Sequence, residues 1–370
     1  MQIKKITLKN YRNYDNLEIK FSKNINIIIG NNAQGKTNIL ESIYLLGITR
    51  SFLTTNDKNL IKFGYNNCKI KGSVLIDNRT KILEIILSDL GKKVKIDNKE
   101  INKLSEYISK FNIIIFGPHD LKLIKDMPSI RRHFLDIELS QLDKSYLNKI
   151  KELNLVLKNR NEYLKMAKLT GKYNLEYMKI LNEKYASLSV YIYLKRRHFI
   201  EKINDYIGLI YKNIANYQNL KLKYTSNVFV DFDDEEDLQE KFYSKLVNNI
   251  EKEISYGSSL YGVKRDDFSF YLNDQNLINY GSQGQQKLAV LALKLAEIDI
   301  FYEKRGEMPI LLLDDLFSEL DIKKRNKVIK YINKDVQTII TTTDLNKIDK
   351  KLVSSSKVFK IVEGKVEEVN

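Results

Sequence analysis

Residues 25 to 29 read INIII, and the chain then turns through Gly30, Asn31, Asn32, Ala33, Gln34, Gly35, Lys36 and Thr37 into NILESIYLL. No other stretch restricts the fold as tightly. A short continuous apolar run bounded by glycine reads as a buried strand. The two glycines and the following Lys-Thr fit G-x-x-x-x-G-K-[ST], in which loop N–H groups wrap phosphate oxygens at a helix N-terminus. Lys36 reaches for the outer phosphates, and Thr37 offers a hydroxyl to Mg²⁺, which keeps most of its waters and takes few protein ligands. The nucleotide-binding candidates are therefore Gly30 through Thr37 together with Asn38. A glycine turn without a ligand is the alternative, but it explains neither the strand before the loop nor the apolar-faced helix expected from about Gly35 to Leu46.

A nucleotide loop needs an acidic partner at the end of a neighbouring strand. PILLLDD (309–315) supplies one, ending in Asp314 and Asp315. The first carboxylate is placed to hold the metal shell, and the second to orient or deprotonate the attacking water, which makes Asp315 the catalytic candidate. A third element, YGSQGQQKLAVLALKLAEI (280–298), sets Ser282, Gln283, Gly284, Gln285 and Gln286 at the start of a strongly periodic helix. Ser282 suits an N-cap, and a second helix N-terminus bearing small polar donors could hold phosphate from the opposite side.

Around these motifs the pattern is α/β. Alternating positions over 2–29 read as edge strands feeding the buried one, and further strands are expected at 69–76, 80–88 and 111–116. From Pro128 the texture becomes helical, interrupted at Gly171 and resuming from about Leu175 to Tyr217, with a third helix after the acidic run 231–240. Strand character returns at 268–272, 309–315 and 337–344. The expected organisation is a P-loop head in two parts, 1–117 and 259–370, flanking an inserted, mainly helical arm over 118–258.

With 370 residues and 43% hydrophobic content the chain can bury one large core or two modest ones. No run approaches the ~20 apolar residues that cross a bilayer, so no membrane association and a cytoplasmic location are expected. One cysteine and three scattered histidines make neither a disulfide framework nor a closed zinc site. The formal charge of +15 points toward a polyanion, nucleic acid before an anionic membrane. Only 11 of the 62 basic residues are arginine, however, and a general leaning to Lys, Asn and Ile produces such a charge without any selection for DNA.

Taken together, the phosphate loop, SQGQQ, the Asp-Asp strand end and FSELD (317–321) stand in the order of the ABC-type ATPase heads of the SMC and RecF class. Within it, LKNYRNYDNLEI, GNNAQGKTNILESIYLL, HDLKLIKDMPSIRRHFLD, VKRDDF and LLLDDLFSELD resemble the RecF family of bacterial DNA-repair ATPases. The match spans most of both head segments and is weak only in the arm. It departs at His119, where an acidic residue is usual, and at Asp126-Met127, where a small, glycine-bearing pair is expected. Asp315 stands where ABC transporters carry glutamate, and TTTD (341–344) lacks their switch histidine, leaving Thr342 or Thr343 as a possible phosphate contact.

The resemblance implies two heads that dimerise on ATP, the loop of one facing Ser282–Gln286 of the other, with hydrolysis as release. It also implies binding to gapped DNA and single-strand/double-strand junctions, and cooperation with RecR and RecO in loading RecA. Competing readings are a transport ATPase subunit, against which the inserted arm counts, an SMC-like tether, for which an arm reaching roughly 60 Å is short, and a nuclease, for which no metal cluster is apparent.

Overall fold

The computed structural model describes residues 1–215, 219–229, 235–315, 320–332, 335–345 and 348–369. Most of FSELD and the first part of the acidic run 231–240 lie outside them. The chain divides into two compact units, one of residues 1–121, 206–219 and 283–370, the other of residues 122–205 and 220–282.

The first unit is built on two sheets. The strand expected from INIII forms as β3 (Ile25–Ile29). It lies between β13 (Thr338–Thr342) and β14 (Lys357–Val362), both parallel to it. Beyond β13 come β12 (Ile310–Leu313) and β8 (Ile113–Phe116), again parallel, while β15 (Lys365–Glu368) closes the far edge antiparallel to β14. The order is β15-β14-β3-β13-β12-β8. Parallel strands are covered on both faces, which is why ILLL and IIIF read as unbroken apolar runs and INIII is interrupted only by Asn26. Helices α1 (Lys36–Ile48) and α9 (Gln283–Arg305) belong to this unit, each burying most of its length.

The second sheet is antiparallel: β1 (Gln2–Tyr11), β2 (Tyr14–Lys20), β4 (Asn67–Ile76), β5 (Arg79–Ser88), β6 (Gly91–Ile96) and β7 (Lys99–Glu100), in the order β2-β1-β4-β5-β6-β7. Two of its hairpins turn on Asp77-Asn78 and Asp97-Asn98, with φ of 49° and 57° and of 49° and 65°. Two-residue hairpin loops with both φ positive match the strand twist, and Asn and Asp tolerate that region. Its inner face rests on α1, where a Cβ added to Gly72 would meet Leu46 at 2.5 Å. Cys68, on that buried face, has its thiol pushed up to about 12 by desolvation and is inert packing.

The second unit is helical around a small sheet. Its helices are α2 (Lys122–Lys125), α3 (Pro128–Leu142), α4 (Lys144–Thr170), α5 (Leu175–Ala215), α6 (Glu235–Asn248), α7 (Ile250–Tyr256) and α8 (Leu277–Tyr280). Pro128 starts α3 and Gly171 ends α4 at φ 68°, as the sequence suggests, but the run between them is broken at Asp143, whose carboxylate caps α4. The last turns of α5, from Tyr206, are counted with the first unit. FSFYL is indeed a strand, β10 (Asp267–Leu272), but it pairs with β9 (Leu220–Thr225) and β11 (Gln275–Asn276), so the helical unit runs on to Ser282. Among the described residues no helix is long and apolar enough to cross a membrane.

This unit is pinned by a buried ion pair. Arg160 and Glu253, both fully buried, meet at 2.6 Å. Arg160 also donates to Asn182 Oδ1 at 2.9 Å and Ser259 Oγ at 2.6 Å, and Glu253 accepts from the Leu260 N–H at 2.7 Å. Removing one partner strands a charge in a dry core, so Glu253→Ala should cost about 3–5 kcal/mol. Urea unfolding followed by circular dichroism checks this against Glu162→Ala, which breaks the exposed Lys158–Glu162 pair and should cost below ~1 kcal/mol.

Candidate nucleotide-binding site

The loop between β3 and α1 is clamped from two sides. Gly30 N–H donates to the Thr342 carbonyl at 3.3 Å, and a Cβ on Gly30 would sit 2.6 Å from the Ile361 carbonyl oxygen of β14. Gly35 has φ 105°, and a Cβ there would come 2.6 Å from both Tyr14 Oη and Asn13 Nδ2. Close approach therefore requires both glycines, and backbone angle requires Gly35 as well. The turn between β1 and β2 holds the loop directly. Tyr14 Oη donates to the Gly35 carbonyl at 3.1 Å, Asn13 Nδ2 to the Gln34 carbonyl at 3.2 Å, and Asn38 Nδ2 to Asn13 Oδ1 at 2.9 Å. From the β14–β15 turn, Glu363 N–H donates to Gln34 Oε1 at 2.5 Å.

Behind this clamp the buried Glu41 of α1 accepts from Tyr11 Oη at 2.6 Å, from Arg12 Nε and Nη2 at 2.8 and 2.6 Å, and from Ser51 Oγ. Hydrogen bonding to Glu41 raises the Arg12 pKa above its ordinary value. The first hairpin and the loop helix are thus one rigid piece. Reading residues 2–20 as edge strands did not reveal this clamp.

Inside the loop, Lys36 Nζ donates to the Gly30 and Asn31 carbonyls at 2.7 and 2.8 Å, two of its three N–H donors. Burial lowers its pKa, opposed by the charges of Asp315 and Asp314. Thr37 Oγ1 donates to Asp314, 3.0 and 3.1 Å from the two carboxylate oxygens. Thr341 Oγ1 donates to Asp314 Oδ1 at 2.7 Å and accepts from the Asp315 N–H at 3.0 Å. The parallel register explains the meeting, since β12 ends at Leu313 beside Ile340 of β13, and β13 in turn pairs with β3. Asp315 lies in the left-handed region at φ 50°, directly beyond the strand. Thr341 is a site residue that the sequence reading left unresolved. Thr342, by contrast, is occupied with Asp344, donating to its carbonyl at 3.1 Å.

The residues present fit ATP and Mg²⁺. Helix α1 begins at Gly35 with no side-chain cap, so its first N–H groups are presented to an anion. A hydroxyl and one carboxylate, Thr37 and Asp314, are the kind of hard oxygen donors that would suit a Mg²⁺, which takes few protein ligands. Among the described residues no group of three acidic, His or Cys side chains forms a protein-only metal cage.

Gln283 to Gln286 form the first turn of α9, with Ser282 just before it. Ser282, Gln283 and Gly284 are exposed, whereas Gln286 is buried. In the helical unit, Arg131 makes a bidentate pair with Asp267 at 2.6 and 2.8 Å, and Arg132 donates to the Asp266 carbonyl at 2.8 Å. Both arginines brace α3 against β10.

The family pattern described as the RecF/RecN/SMC N terminal domain matches residues 2–367. The DNA replication and repair protein RecF of Listeria welshimeri is 38% identical over 367 residues, covering 99% of each chain. This chain belongs to the RecF family. A solved structure of the recombination mediator protein RecF with ATP, from the RecFOR pathway, superposes with a TM-score of 0.92 at 32% identity, covering 100% of this chain and 97% of that one. An Smc head bound to the C-winged helix domain of ScpA shares the fold at a TM-score of 0.58 and 16% identity. Where this RecF-family chain carries histidine after Pro118, His119 stacks on Phe52 with ring centroids 4.9 Å apart. The next residue, Asp120, accepts from the Gly117 N–H at 2.7 Å, so the turn keeps its capping carboxylate one position along.

Proposed function

We propose that this protein is an ATP-switched DNA-binding clamp of recombinational repair and replication restart, acting in the cytoplasm. Thr37 in the first turn of α1 and Thr341 near the end of β13 converge on Asp314 beside the Lys36 loop, and this arrangement carries the reading. In it Lys36 binds the outer phosphates, Asp314 and Thr37 hold Mg²⁺, and Asp315 accepts a proton from the attacking water. Bound Mg²⁺ would neutralise phosphate charge and fix the phosphate geometry.

Ser282 to Gln286 would complete the site of a second copy, so that ATP joins two heads and hydrolysis releases them. The exposure of Ser282, Gln283 and Gly284 at the start of a 23-residue helix supports a role in trans, because the helix dipole favours an anion there. The partners on this reading are gapped, single- and double-stranded DNA, together with RecR and RecO, in promoting RecA loading. Gel filtration with and without ATP and gapped DNA tests the switch. A monomer under every condition would refute it.

An SMC-like tether is less well supported, since the longest helix, α5, has 41 residues and spans only about 60 Å. Affinity for gapped DNA should fall steeply with salt and vary little with base sequence, because phosphate neutralisation by lysine carries it. Anisotropy titrations of two unrelated sequences between low and physiological salt check this. A flat salt response would count against the clamp.

A further inference from the structure

The antiparallel sheet of the first unit has one face on α1 and one turned away from it. Gly72 lies against Leu46, and Lys92 Nζ reaches the Thr49 carbonyl at 2.6 Å, which fixes the inward phase of β4 and β6. Through the strand register, the residues out of phase with these share the other face. That face carries Lys5, Lys9, Lys20, Lys69, Lys71, Lys93 and Lys95. Its acidic residues are Glu18, Glu84 and Glu100, with no aspartate and no arginine among the paired positions.

Seven lysines to three acids is a steeper ratio than the chain's 62 basic to 47 acidic residues, so lysine-rich composition alone does not account for it. Part of the placement is unfavourable for the fold itself, although Lys71 and Lys95 stand opposite Glu84 and Lys95 also stands opposite Glu100. Lys5 stands directly opposite Lys20, and Lys9 directly opposite Lys69, and like charges in directly opposed positions destabilise a sheet. Glu18 relieves Lys5 at 2.7 Å and Glu84 relieves Lys69 at 2.8 Å. Lys9, Lys71, Lys93 and Lys95 have no ion pair among the described residues.

We propose that this lysine face is the surface on which the duplex arm of DNA lies. The inference rests on the DNA-binding reading above and specifies where and what it grips. From β2 to β6 the face spans about 19 Å at ~4.8 Å per strand, wide enough to follow a duplex backbone. Lysine acts as a point charge on a flexible stem, suited to phosphates at any sequence, whereas bidentate base reading calls for arginine. The face presents no aromatic side chain on which unpaired bases could stack, as single-strand grooves do. Double-stranded DNA is therefore the favoured occupant.

The test uses the full chain with ATP and a fluorescent 40-base-pair duplex, titrated at several salt concentrations. K9E/K71E is compared with wild type and with K327E/K330E, a charge reversal elsewhere on the same unit. Losing two phosphate contacts should lower affinity roughly 30-fold or more at 0.15 M salt and reduce the log–log salt slope by about two, with the control pair nearly unchanged. K9E puts a carboxylate opposite Lys69 whereas K71E puts one opposite Glu84, so the two changes oppose each other in the thermal midpoint. K9E alone should hold or raise it, and ATP affinity should stay at the wild-type level in both. K9Q/K71Q should show a smaller loss in the same direction.

Unchanged binding by K9E/K71E, alongside tight, salt-steep wild-type binding, overturns this surface and leaves the DNA-binding reading standing. Equal losses in both pairs overturn it too, by showing a diffuse field. So does a loss confined to phosphatidylserine vesicles with duplex binding intact. A wild-type protein that binds neither duplex nor gapped DNA removes the functional reading and this surface with it.

Discussion

Lys36→Met is expected to lower ATP affinity by roughly 100-fold and to abolish ATP-dependent dimerisation. The ammonium group is already held over the loop by the Gly30 and Asn31 carbonyls, which leaves one donor for a phosphate oxygen in a buried setting. A charge-assisted hydrogen bond is worth about 1.5–3 kcal/mol, and each 1.4 kcal/mol is tenfold. Methionine fills a similar volume but also leaves the two loop carbonyls without their donor. The loss should therefore appear in nucleotide binding before it appears in any rate. Isothermal calorimetry settles the point: ATP affinity equal to wild type would remove Lys36 from the assigned role.

The two aspartates should separate cleanly. Asp314 receives Thr37 and Thr341 on its carboxylate, so Asp314→Asn replaces one acceptor oxygen with a donor amide facing hydroxyls that must then turn. Mg²⁺-dependent ATP binding should weaken by about tenfold or more, the size of a lost charge-assisted contact. Asp315 is tied to Thr341 through its backbone N–H, so Asp315→Asn leaves that anchor in place. The variant should keep ATP and dimerise at least as well as wild type, while turnover falls by about 10²–10⁴-fold, the range of general-base catalysis. Wild-type turnover should itself be slow, because aspartate is one methylene shorter than the glutamate that ABC transporters carry at this position and reaches the water less well. Parallel measurement of affinity, dimer fraction and hydrolysis in both variants decides this, and normal turnover by Asp315→Asn would show that another group activates the water.

The phosphate loop, the Asp-Asp strand end and the long helices were legible in the sequence because each is a local pattern. ILLL and INIII become buried parallel strands because they are almost wholly apolar, the single polar Asn26 being satisfied by Ser22, and the spacing of Gly30, Gly35, Lys36 and Thr37 alone specifies a loop that turns its N–H groups inward. Pro128 and Gly171 mark helix ends through φ restriction and left-handed backbone, properties of one residue each, whereas the break at Asp143 between α3 and α4 lies inside a helical periodicity that runs on without interruption. Other features were decided only by the tertiary structure. Thr37 and Asp314 are 277 positions apart, and Thr341 joins them because β13 lies between β3 and β12. The clamp of Asn13 and Tyr14 on the loop depends on where a hairpin some twenty residues earlier comes to rest. FSFYL is a strand by its alternation in either unit, and only its partner β9 assigns it to the helical one. The lysine face likewise emerges from register, since strands β1, β2, β4 and β6 each carry an ordinary polar alternation until pairing brings their lysines onto one surface. Backbone preference and side-chain period act within a few residues, whereas charge and hydrogen-bond complementarity act across whichever strands the folded chain makes neighbours.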